Sequence, residues 1–223
     1  MRSPRTRPTP EARPAPGFAV ALVGIDGSGK TTAAKALAGE LAAVGARYFE
    51  NAGGRPPLNW LARRLGRADA VDLFGPDRYQ WIEQRVRWFA LRRAVTWVDA
   101  PAPEQRVAVM DRYACCQYAA VRARGQDGEP EIRARYARFR APDLTVFLAV
   151  DPREAQRRVE LRGRDHEELE HLVRADAAYR SLPEWPTFTV VDAGRGPSEV
   201  LASIRVLVEE LLSPGGRDRP SSG

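Results

Sequence analysis

One run of nine residues, Gly24-Ile25-Asp26-Gly27-Ser28-Gly29-Lys30-Thr31-Thr32, fits the pattern G-x-x-x-x-G-K-[ST] at every fixed position. Glycines at 24, 27 and 29 allow backbone angles closed to other residues, and they let amide N–H groups approach phosphate oxygens. A helix starting near Lys30 would add its positive dipole end. Lys30 would reach the β- and γ-phosphates of a nucleoside triphosphate, and the Thr31 hydroxyl would take Mg²⁺. The chain has only two lysines, Lys30 and Lys35, and one of them occupies the motif position. The run therefore predicts binding of a triphosphate such as ATP without naming the reaction.

A second candidate is Asp111-Arg112-Tyr113, which follows the apolar run VAVM. A carboxylate at the end of a core strand can hold Mg²⁺ through water or orient an acceptor, and a guanidinium can grip a phosphate with two parallel hydrogen bonds. Taken alone, Asp111 as a turn cap and Arg112 as a solvated side chain is the simpler reading. The phosphate loop reverses that preference.

Both segments need strands to place them. Short β-rich runs, FAVALVGI (18–25), ARYFE (46–50), VAVMD (107–111), LTVFLAV (144–150) and FTVVDA (188–193), alternate with helical stretches. Those stretches are 30 to about 44, parts of 57–98, a helix from about Cys116, parts of 152–181, and Pro197 to Leu212. Apolar strands alternating with helices predict a parallel sheet covered on both faces. Ligands of such sheets bind beyond the carboxyl ends of the strands, so chemistry is expected just after residues 25, 50, 111, 150 and 193.

Composition removes other classes. With 223 residues, 43% of them hydrophobic, the chain suits one domain at 18–212. The proline-rich segment 1–17 and the segment 213–223 are expected to be disordered tails. The net charge is +6, but Arg2, Arg5, Arg7 and Arg13 against Glu11, with Arg217 and Arg219 against Asp218, put +4 in those tails and only +2 in the body. A nucleic-acid partner is therefore not expected. No run approaches the ~18 apolar residues of a membrane-spanning helix, and the amino-terminal segment lacks the apolar stretch of a secretory signal. Cys115 and Cys116 are adjacent, which suits neither a disulfide framework nor a metal site and points to a reducing, cytoplasmic setting. With only His166 and His171, neither a zinc site nor a Ser-His-Asp triad has material to build on.

GIDGSGKTT after an apolar strand, DRY after a later strand, PDLTVFLAVDPREAQRRVELRGR and VVDA, in that order over roughly 18–212, together resemble the thymidylate kinase family of P-loop nucleoside monophosphate kinases. The resemblance implies a three-layer α/β/α fold with a five-stranded parallel sheet and a helical lid. It implies that Asp26 lies near the acceptor and that Arg112 binds the acceptor's phosphate. It assigns base stacking to Phe89 and a base-carbonyl contact to Arg93, from FALRRA. A rival match is Phe74-Gly75-Pro76-Asp77-Arg78, whose arginine precedes Asp111 by 33 positions, longer than the family spacing. Gln117 falls near the family's polar position after DRY, whereas the aromatic expected near Ala120 is shifted to Tyr118. Arg158, Arg162 and Arg164 resemble the lid arginines, and Asp165 and Glu168 its acidic pair. Arg158 and Arg162 are four apart and share a helix face.

These resemblances imply transfer of the γ-phosphoryl group of ATP, with Mg²⁺, to a nucleoside 5′-monophosphate, dTMP first among candidates, by a protein that can act as a homodimer. The changed acceptor loops leave open another nucleotide, a nucleoside or a specialised metabolite as acceptor. A non-catalytic nucleotide-binding regulator is the alternative from another class.

Overall fold

The computed structural model describes residues 17–51, 55–163 and 168–213. Five strands form one sheet: β1 (Phe18–Val23), β2 (Ala46–Glu50), β3 (Val107–Asp111), β4 (Leu144–Ala149) and β5 (Thr189–Asp192). Their order is β2-β3-β1-β4-β5 and every neighbouring pair is parallel. Buried residues run almost without interruption along β1, β3 and β4, as strands covered on both faces require.

The helices are α1 (Lys30–Glu40), α2 (Arg55–Arg64), α3 (Ala70–Phe74), α4 (Pro76–Asp99), α5 (Ala114–Ala123), α6 (Glu129–Tyr136), α7 (Pro152–Arg162), α8 (Leu169–Arg180) and α9 (Pro197–Leu212). They make the outer layers of an α/β/α sandwich. Helix α1 stops earlier than its sequence suggests, giving way to a 3₁₀ turn at Ala42–Val44. Helix α6 has no counterpart in the sequence reading, because only Ile132 and Tyr136, one turn apart, bury its inner face. Gly17, counted with the leading segment, is tied down by its N–H to the Val98 carbonyl at 3.0 Å. The rest of both expected tails lies outside the described residues.

The strand order sets the position of the site. From β1 the chain crosses to β2 at one edge, whereas from β3 it crosses over β1 to β4 on the other side. Crossovers leaving neighbouring strands in opposite directions open a crevice beyond their carboxyl ends. Leu22 pairs with Asp111 in the register of β1 with β3, so the phosphate loop and the DRY segment emerge side by side at that crevice.

Candidate active site

A cleft of about 850 Å³ occupies the crevice, walled by the phosphate loop, the ends of β2 and β3, and residues of α2, α4, α5, α7 and α8. The loop turns on Gly24, Gly27 and Gly29, all at positive φ, and Gly29 caps α1 without any side-chain acceptor. No acidic side chain stands in the first turn of α1. The first-turn amides, with the dipole behind them, thus face the cleft as an anion site.

Lys30 lies folded under the loop, 4% exposed, donating to the Ile25 carbonyl at 2.6 Å and the Ser28 hydroxyl at 3.3 Å. Asp26 Oδ1 is 3.7 Å from its ammonium. Burial, and then the neighbouring Arg112, push the Lys30 ammonium down to about 8, only partly offset by Asp26 and Asp111.

Asp111 closes the other side. The Thr31 hydroxyl donates to its Oδ2 at 2.5 Å and the Tyr48 hydroxyl reaches the same oxygen at 3.4 Å. Its Oδ1 is buried with no hydrogen-bond partner among the described residues. A buried carboxylate oxygen left bare beside a threonine hydroxyl is a donor set suited to a hard, oxygen-seeking divalent cation, so the residues present fit Mg²⁺.

Arg112 adopts φ +79°, the only non-glycine residue at positive φ among those described. Such a conformation costs on the order of 1 kcal/mol or more and persists where its surroundings enforce it. Here the Arg112 N–H is held by the Leu22 carbonyl at 3.0 Å, and its guanidinium is hydrogen-bonded and ion-paired to Asp26. Burial pushes the Asp26 carboxyl up, but Arg112 and Lys30 together more than offset it and hold the group well below the usual carboxylate range. The strained backbone thus returns a half-buried arginine across the crevice toward the phosphate loop, with Arg162 lining it from the end of α7.

The cleft gathers Gly24, Ile25, Asp26, Thr31, Thr32, Asp111, Arg112, Gln117 and Arg162 in its walls, with Lys30 and the buried Ser28 directly beneath. Other expected residues lie elsewhere. Phe89 is 50% exposed and packs edge-on against Trp88, while Arg93 is exposed near the Phe49 ring; neither lines the cleft. The inner face of α4 runs through Tyr79, Glu83, Arg87 and Leu91 at four-residue spacing, and positions 89 and 93 fall off it. The rival Phe74 and Arg78 do not line the cleft either. Arg158 is turned away, bonded to Glu154 and to the Ala193 carbonyl at 2.8 and 2.9 Å. Glu168 precedes α8, exposed and outside the walls. Arg164 and Asp165 lie outside the described residues.

The cleft also uses residues the sequence reading missed. Trp60 on α2, Glu83 and Arg87 on α4, Cys116 on α5 and Tyr179 on α8 all line it. The four-residue spacing of Glu83 and Arg87 with Tyr79 and Leu91 was the available signal for α4. Nothing in the local sequence around Trp60 marks it. Tyr118 points away, buried under the Arg133 guanidinium, and the cleft face of α5 after Gln117 is Ala119, Ala120 and Ala123.

The chain is similar to known proteins over most of its length. A family model described as thymidylate kinase matches residues 73–204. The chain is 30% identical over 203 residues to a protein of Pyrobaculum calidifontis named "Probable thymidylate kinase", covering 87% of this chain and 97% of that one. It is 33% identical over 214 residues to a protein of the same name from Pyrococcus horikoshii, covering 88% and 98%. A "Thymidylate kinase" of Xanthomonas campestris is 29% identical over 211 residues, covering 88% of this chain and 85% of the relative.

Proposed function

The chain belongs to the thymidylate kinase family, and from that premise we propose how its own residues carry out ATP-dependent phosphorylation of dTMP to dTDP. It is a nucleoside monophosphate kinase. The observation that carries the assignment of roles is the Arg112–Asp26 pair, which sets a second phosphate grip directly across from the phosphate loop.

The loop amides and Lys30 bind the β- and γ-phosphates of ATP, meeting charge that develops as the bond between them breaks. Asp26 fixes the orientation of Arg112, and the remaining N–H donors of that guanidinium take the phosphate of dTMP. An oxygen of that phosphate attacks the γ-phosphorus, the γ-phosphorus to β-bridging oxygen bond breaks, and ADP leaves. No general base is needed, because the attacking phosphate is already anionic at neutral pH. Arg162 covers the transferring group from α7, and Gln117 offers a donor and an acceptor to the acceptor's nucleoside. Thr31 and Asp111 would hold Mg²⁺, which supplies positive charge to the phosphate oxygens when bound.

The substrates are small nucleotides, and no helix of the described residues is long and apolar enough to cross a membrane. A homodimer and a cytoplasmic setting complete the proposal. The first is supported by Trp81, Val86 and Phe89, left exposed along α4, and the second by two unbridged cysteines.

The test is Arg112→Ala, assayed for ADP release over nucleoside monophosphates and nucleosides and for binding of an ATP analogue. Expected is a loss in kcat/KM for dTMP of about 10²-fold or more, the scale of one preorganised charged contact, with analogue affinity nearly unchanged. Equal loss of both, or a wild-type preference for plain nucleosides, would contradict the assignment.

A further inference from the structure

Both lysines of the chain stand on α1 at the phosphate loop, but only Lys30 has a task there. Lys35 follows Thr31 by four residues, so the two share a side of the helix, and both line the cleft. The Lys35 ammonium is set over the ring of Tyr48, 5.4 Å from its centroid. Tyr48 does not itself line the cleft; it meets the site through Asp111. Its hydroxyl reaches Asp111 Oδ2 at 3.4 Å, the same oxygen to which the Thr31 hydroxyl donates at 2.5 Å. Contacts thus run in a closed circuit from Thr31 to Asp111, Tyr48 and Lys35, and back along α1.

The pairing of β2 with β3 dictates this meeting. Glu50 lies beside Asp111 in their register, and side chains two apart on a strand share a face, so Tyr48 stands one step behind Glu50 on the face that carries Asp111. Phe49 between them points the other way, against Trp97 of α4. The torsion that orients a carboxylate is broad, so a single donor lets the group pivot about the oxygen it holds. A second donor, reaching in from a different element, restricts that motion. Both hydroxyls converge on Oδ2, and the buried Oδ1 is left without a hydrogen-bond partner among the described residues. A carboxylate held by one oxygen presents the other to a hard cation. The ammonium over the phenol face seats the ring and draws electron density from it, which makes the hydroxyl a better donor to the carboxylate.

We propose that Tyr48, seated by Lys35, is a positioning residue for the phosphoryl transfer, holding the Asp111 carboxylate so that its bare Oδ1 is presented to Mg²⁺. The inference rests on the reading of Thr31 and Asp111 as the residues that hold that ion. It gives the second lysine a task that requires no contact with the phosphates. Tyr48→Phe removes only the hydroxyl and keeps the ring that Lys35 covers, so it isolates the contact in question.

The experiment measures the affinity of a non-hydrolysable ATP analogue in a fixed excess of Mg²⁺ and in EDTA, with the melting temperature, for the wild type, Tyr48→Phe, Lys35→Met, Lys35→Arg and the double variant Tyr48→Phe/Lys35→Met. The ratio of the two affinities is the gain from Mg²⁺. Expected for Tyr48→Phe is a loss of about tenfold in that gain, the scale on which groups behind metal ligands act, with the affinity in EDTA within about twofold of the wild type. In turnover, the free Mg²⁺ needed for half-maximal ADP release should rise by a similar factor. Lys35→Met should lose part of the same gain, and Lys35→Arg should keep it, since a guanidinium also stacks on an aromatic face. Because Lys35 acts through the Tyr48 hydroxyl, the double variant should lose no more than Tyr48→Phe alone. A Tyr48→Phe protein that keeps the wild-type gain, even with a lowered melting temperature, overturns the inference. So does a Lys35→Met protein whose affinity falls equally in EDTA, which would put Lys35 on the phosphates. Either result leaves the Mg²⁺ reading standing, whereas a wild type with no gain from Mg²⁺ overturns that reading and the inference with it.

Discussion

Lys30 shows how a single side chain couples binding to stability. Its ammonium is depressed from 10.5 to about 8 by burial and by Arg112, so the folded, nucleotide-free protein holds that proton less tightly than the unfolded chain does. The unfavourable contribution is complete below pH 8, on the order of 3 kcal/mol from a shift of that size, and it fades as pH rises from 8 toward 10.5. Lys30→Met should therefore raise the melting temperature of the nucleotide-free protein at pH 7, and that advantage should shrink by pH 9 to 10. Nucleotide binding runs the opposite way. Phosphate needs the charged amine, so above pH 8 binding must take up a proton and the affinity of an ATP analogue should fall by up to about tenfold per pH unit. Calorimetric titration across pH 7–10 would show this slope in the wild type; the same slope in Lys30→Met would assign it to another group. Arg112 is the complementary case. Its positive φ serves position, setting its guanidinium against Asp26 at the mouth of the phosphate loop.

At the scale of elements, the phosphate loop is shaped by the helix that packs on it as much as by its own glycines. A Cβ on Gly27 would stand 2.2 Å from the Ala155 carbonyl oxygen of α7, whereas one on Gly29 would meet nothing within 4 Å, although both residues have nearly the same positive φ. Alanine at either position carries the backbone strain of about 1 kcal/mol or more, but only Gly27→Ala must also push α7 away. Thermal unfolding should rank Gly27→Ala well below Gly29→Ala. Equal melting temperatures would mean that α7 is not seated on the loop, and the approach of Arg162 to the cleft would lose its support. Helix α4 makes the same point about direction. Its inner stripe brings Glu83 and Arg87 to the cleft, while Phe89, two residues beyond Arg87, is rotated to the outside.

On the scale of the whole molecule, the outer side of α4 carries Trp81, Val86 and Phe89, each 37% or more exposed, with the Arg85 guanidinium 4.7 Å from the Trp81 ring and 5.9 Å from that of Phe89. Large apolar side chains gathered on one helix face are costly to leave in water and suit a protein interface. For a homodimer through α4, sedimentation should give a concentration-dependent dimer, and Trp81→Glu should shift it to monomer while folding is retained. A monomer at all concentrations in the wild type would refute that interface. The site itself would survive such a result, since its walls come from one chain.

The segments whose function depends on local backbone shape were readable in the amino-acid order. The phosphate loop requires its glycines and lysine in a strict sequence between a strand and a helix, and the apolar runs that became β1, β3 and β4 can only be buried by covering both faces of a sheet. Position across the cleft was a different matter. Whether Glu83 or Phe89 lines the cleft depends on the rotation of a helix, which is set by how Leu91, Ala94 and Val98 pack against the sheet. Arg158 is held out of the cleft by the Ala193 carbonyl, whereas Arg162, one turn further on, lines it. Trp60 lines the same cleft as Glu83 and Arg87 only because α2 and α4 both border it, and no spacing along the chain encodes that arrangement. Tertiary packing decided it, because contacts between distant segments are selected by the burial of other residues rather than by the residues that form the site.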